Sequence, residues 1–152
     1  MTREQRPNRK RAGLWLISLL ITLGSITLQR GYAQQKNPTA CTLATLNGLY
    51  VFDASGYNIV NQVPQPKAVV EFLDFKGDGT LTSKATVSLD GVIHSGIAGS
   101  GIYTVNQDCT GSLTFNGSGF TFDLFVAPHG RRFHMIETDA DTVLAGESRR
   151  VH

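Results

Sequence analysis

The sequence predicts an all-β protein: a single antiparallel up-and-down β-barrel of 8–9 strands, with a two-sheet β-sandwich as the alternative. Three observations carry this. Apolar and polar residues alternate over most of the chain, as half-buried strands require. The alternating segments are joined by short Gly, Asp and Asn turns, and the prolines fall between the segments. Beyond Gly48, no stretch of ten or more residues repeats apolar positions at helical spacing.

The chain begins with a different signal. Arg3, Arg6, Arg9, Lys10 and Arg11 precede an apolar run from Ala12 to Leu28, and Gly31-Tyr32-Ala33 follows. A basic start, an apolar centre and a small-x-small site make a secretory signal peptide over residues 1–33. An uncleaved anchor is the rival reading. Ser18, Thr22, Gly24, Ser25 and Thr27 dilute the run, which is short for a span of about 20 residues. Lipidation at Cys41 is disfavoured by Pro38 and Thr39 and by its distance from the apolar run.

The polar residues 34–40 read as a tether and 41–152 as the barrel domain. Residues 41–47 are expected to form one helical turn ended by Gly48. A strand over 49–54 places Tyr50 and Phe52 on one face. Residues 55–67, with Gly56, Asn58, Asn61, Pro64 and Pro66, read as a long loop. Residues 68–76 are apolar on both faces, which predicts a strand buried on two sides or bulged. After Gly77-Asp78-Gly79, residues 80–89 give the cleanest alternation, with Leu81, Ser83, Ala85, Val87 and Leu89 on one face. Asp90-Gly91 suits a tight hairpin. Gly96, Gly99 and Gly101 divide the next segment into strands at 92–97 and 100–105. The remaining strands are read at 112–115, 119–126, 132–138 and 142–149, with Phe120, Phe122, Leu124 and Val126 sharing a face.

Charge and cysteine content narrow the function. Six of 14 Lys+Arg but only one of 12 Asp+Glu lie before residue 34. That leaves 8 against 11, a net charge near −3, for the processed chain. No basic stripe remains to bind nucleic acid, and the membrane is met only through the signal segment. Cys41 and Cys109, 68 apart in an exported chain, read as a disulfide. The two cysteines with His94, His129, His134 and His152 lack metal-site spacing. No metal site or cofactor is therefore expected. The sequence leaves the oligomeric state open.

Motifs suggesting chemistry have plainer readings. The stretch from Asp74 to Leu81 matches part of a calcium loop, but Lys76 and Ala85 occupy ligand positions, so a hairpin turn is expected. Asn116-Gly117-Ser118 is both a glycosylation sequon and a favoured hairpin turn. His134 and Glu137, three apart in a strand, should face opposite sides. No nucleophile elbow or other catalytic constellation is present, so no catalytic residue is assigned and a non-enzymatic role is expected. The candidate ligand-binding residues are Tyr50, Phe52, Phe72, Tyr103, Phe122 and Phe133, which either line a cavity or fill it. The polar pocket candidates are Glu71, His94, His134 and Glu137.

Three stretches form a longer pattern: Cys41-x4-Leu46-x-Gly48-x-Tyr50-x-Phe52, Phe75-x-Gly77-Asp78-Gly79-x-Leu81-Thr82, and the run from Gly101 to Gly111 around Cys109. With the ending from Glu137 to Gly146, this resembles an uncharacterised family of small secreted bacterial β-barrel proteins. The resemblance spans nearly the whole domain and is most specific around Cys109. It implies a barrel similar to allene oxide cyclase and lipocalin-like barrels and agrees with the Cys41–Cys109 pairing. It brings no catalytic residues, and a shared fold does not carry function. Three roles follow as expectations: an exported barrel binding a small apolar or amphipathic ligand, an envelope-associated interaction protein with a filled core, or a barrel isomerase or cyclase.

Overall fold

The computed structural model describes residues 40–151. The expected signal peptide and all but the last residue of the tether lie outside them. A 3-10 turn at Leu43–Thr45 leads into eight strands: β1 (Asn47–Val60), β2 (Val63–Lys76), β3 (Thr80–Leu89), β4 (Val92–Val105), β5 (Thr110–Phe115), β6 (Thr121–Val126), β7 (Arg132–Glu137) and β8 (Thr142–Arg150). Each pairs antiparallel with the next, and β1 pairs with β8 from Tyr50↔Arg150 to Asn58↔Thr142. That last ladder closes the barrel and excludes the sandwich, since a closed sheet leaves no free edge.

The expected loop at 55–67 is instead the far half of a long hairpin. Only Asn61 and Gln62 turn, with φ of 53° and 66°, the left-handed pair of a tight two-residue connection. Such a turn makes Val60 and Val63 a hydrogen-bonded pair. Pro64 and Pro66 then sit at positions whose nitrogens face away from β1. β3 pairs with β2 only from Lys67 onward, so no ladder bond is lost there. Gly56 marks a close approach rather than a turn: a Cβ there would lie 1.7 Å from the Val143 carbonyl oxygen.

Three further expectations change. β4 is one strand carrying a bulge, because Ala85 pairs with Ile97 while Val87 pairs with His94. The extra residue is absorbed near Gly96, whose φ is 69°. β2 is neither buried on two sides nor bulged. Val69, Glu71, Leu73 and Phe75 face inward, whereas Val70 and Phe72 lie on the outer surface. Phe120, expected within a strand, lies in the turn before β6.

One end of the barrel is packed and tied. Phe75 meets the edges or faces of Tyr50, Tyr103 and Phe133 with ring centroids 5.4, 4.8 and 5.5 Å away, favourable aromatic geometry. The Tyr103 hydroxyl donates to the Leu43 and Leu46 carbonyls at 3.0 and 2.9 Å. The Tyr50 hydroxyl donates to the Gly130 carbonyl and accepts from Arg150 Nη2 at 2.9 Å. The Cys41–Cys109 disulfide, with Cα atoms 5.0 Å apart, fastens the entering chain to the β4–β5 turn. Asp78 and Asp108 cap two similar turns here, each accepting from the backbone and hydroxyl of the threonine two residues on. Asp78 thus acts as a turn cap, and Asp74 pairs with Lys76.

Candidate functional site: a pocket in the open half of the barrel

The packed layer stops partway along the barrel, and the transition can be followed strand by strand. Phe52, Glu71, Ser83, Gly99, Phe115, Phe122 and Glu137 line a pocket. Their inward neighbours nearer the tied end are Tyr50, Leu73, Leu81, Gly101, Leu113, Leu124 and Met135. None of these lines the pocket; they form the plug below it. The cavity volume is about 290 Å³. It exists because the inward faces of β3 and β4 carry only Ser83, Ala85 and Gly99 at this level, whereas nearer the tied end they carry Leu81 and, beyond Gly101, Tyr103. A Cβ on Gly99 would come within 2.6 Å of Ser83 Oγ, so even this small addition would crowd the wall.

Three charged side chains line this mostly apolar space. Lys67 and Glu137 reach across the lumen from β2 and β7. Their Nζ and Oε2 are 2.7 Å apart, with the side chains only 10% and 2% exposed. Lys67 Nζ also lies 5.3 Å from the centroid of the Phe120 ring, within cation–π range. Glu71, two inward positions beyond Lys67 on β2, is 8% exposed and has no cationic partner among the described residues. Burial pushes its carboxyl above the ordinary glutamate value, and a hydrogen bond with the Ser83 side chain draws it part of the way back.

The expected site residues divide. Phe52 and Phe122 line the pocket, while Tyr50, Tyr103 and Phe133 belong to the packed plug. Phe72 does not face the lumen at all: it is 48% exposed. The register Phe52↔Glu71 explains this. Directly paired residues share a face, so an inward Phe52 sends Glu71 inward and Phe72 out. Glu71 and Glu137 are pocket residues. His94 is exposed at the far end of β4, opposite Val87 but outside the pocket lining. His134 lies on the outer surface between Phe125 and Glu147, on the side opposite Glu137.

Sequence reasoning missed Lys67, Ser83, Ala85, Gly99, Phe115 and Phe120. Lys67 was legible in principle, because it continues the inward series of Val69, Glu71, Leu73 and Phe75. The two prolines before it hid the strand. Among the described residues, no three His, Cys, Asp or Glu side chains gather as metal ligands would. Set against family models, curated proteins and solved structures, the chain matches none.

Proposed function

We propose that this barrel binds a small amphipathic molecule in the open half of its lumen. The carrying observation is the pocket itself: an apolar space of about 290 Å³ holding three inward-facing charged groups, above a fully packed plug. Ligand sites combine apolar walls with a few convergent polar groups, and this volume lies at the small end of their range. The protein works outside the cytoplasm, in the periplasm or the medium. The disulfide fits an oxidising compartment, and the basic-apolar start of the chain supplies the export signal. We also place it with the small secreted barrels that its Cys109 segment resembles.

A barrel isomerase or cyclase is the second reading, favoured by the buried Glu71, since a carboxyl raised by burial suits proton transfer. It is weakened because His94 and His134 lie outside the pocket. The filled-core alternative applies only to the tied half.

A neutral naphthyl dye tests the binding reading. Its fluorescence should rise with the purified protein and fall when short-chain amphiphiles compete. Ala85→Leu, which projects into the pocket, should abolish the signal while keeping the melting temperature at or above that of the parent. No dye or amphiphile binding to folded parent protein defeats the reading.

A further inference from the structure

Glu71 is anomalous in its row. Along β2 the inward positions run Lys67, Val69, Glu71, Leu73, Phe75; beyond the already paired Lys67, every one but Glu71 is apolar. A carboxyl in such a place is costly to ionise unless a cation joins it. Among the described residues the barrel supplies none: the only cation of theirs lining the pocket, Lys67, is held by Glu137 at 2.7 Å. The pocket therefore contains two carboxyls and one ammonium, and the carboxyl without a partner sits at its floor.

We infer that the pocket takes a small amphiphile bearing an ammonium group, with the ammonium pairing with Glu71 and the hydrocarbon lying against Phe52, Phe115 and Phe122. This rests on the ligand-binding reading above. The chemistry disfavours the other charge type. An anionic ligand would find its cation only by drawing Lys67 away, stranding Glu137 with its side chain 2% exposed. A neutral ligand would leave Glu71 with Ser83 alone. An ammonium completes the count, and three aromatic walls suit a cation on a short apolar stem. Where the carboxyl is protonated beforehand, an entering alkylammonium displaces that proton to solvent, leaving carboxylate and ammonium paired. Lys67 and Glu137 are the other titratable groups lining the pocket, and each already holds the other.

Isothermal titration of the purified protein at neutral pH with hexylamine, 1-hexanol and hexanoate tests this. The amine should bind about tenfold or more tighter than the alcohol, with the acid weakest, as a charge-assisted pair implies. Glu71→Gln should erase the amine's advantage over 1-hexanol. If this variant does not fold, the order of affinity of the three ligands for the parent protein decides. Alcohol binding as tight as amine, or hexanoate binding tightest, overturns the ammonium assignment and leaves the pocket reading standing. Binding by none of the three overturns both.

Discussion

The tied half and the open half of this barrel use the same eight strands and the same inward-outward alternation, yet one is solid and the other hollow. In the tied half, inward positions carry Tyr50, Leu73, Phe75, Leu81, Tyr103 and Phe133, and the rings meet one another across the axis. In the open half, the wall built by β3 and β4 carries Ser83, Ala85 and Gly99, too small to reach the opposite side. Alternation thus decides which residues enter an eight-stranded barrel, and their summed volume decides whether space remains. The halves also differ in how polar groups are satisfied. The tyrosine hydroxyls of the plug all bond to backbone or Arg150. The open half contains one complete ion pair and, among the described residues, one carboxyl without a cation.

Paired truncations should break the comparison most sharply. Phe75→Ala removes the ring at the centre of the plug and is expected to destabilise by about 3–5 kcal/mol. Phe122→Ala borders space that is already empty and should cost nearer 2 kcal/mol, roughly its transfer term alone. Denaturant unfolding measures both; equal losses would mean that the halves are packed alike.

The disulfide is next. Replacing Cys41 and Cys109 by serine releases a loop spanning 68 residues, for which chain entropy predicts a loss of about 4 kcal/mol at most. Because the bond lies at the tied end, dye binding at the mouth should survive in whatever fraction remains folded. Loss of binding from the folded variant would show that the plug sets the shape of the pocket.

The smallest effect concerns pH. Glu71 has a folded value raised above its ordinary 4.5, so the folded state holds the proton more firmly than the unfolded chain does. Its contribution is therefore fully favourable below the ordinary glutamate value and is lost as pH rises through the raised folded value. Glu71→Gln removes that loss. The melting temperature of the variant relative to the parent should climb across this interval, and a flat difference would place Glu71 in contact with bulk water.

The hairpins of the later strands were legible because their signals are local: Asn116-Gly117 turns, and Phe122, Leu124 and Val126 alternate inward as read. The outer part of the first hairpin was not. Gly56, Pro64 and Pro66 are loop formers by composition, and their tolerance here depends on where β8 approaches and where β3 ends. The candidate site was half legible. Phe52, Phe122, Glu71 and Glu137 were identified, but Phe72 was assigned to the wrong face, since Val69-Val70 and Phe72-Leu73 are apolar on both sides. The pairing of Phe52 with Glu71 settles the matter, and it involves a different strand.

By itself, the sequence determined the all-β class, most of the tight turns and the pairing of the two cysteines, because each follows from short-range alternation, turn chemistry or simple number. Only the tertiary structure decided that β1 meets β8, that Lys67 crosses the lumen to Glu137, and that Glu71 borders empty space. Those outcomes depend on register and side-chain volume summed over strands far apart in the chain, quantities that no single segment contains.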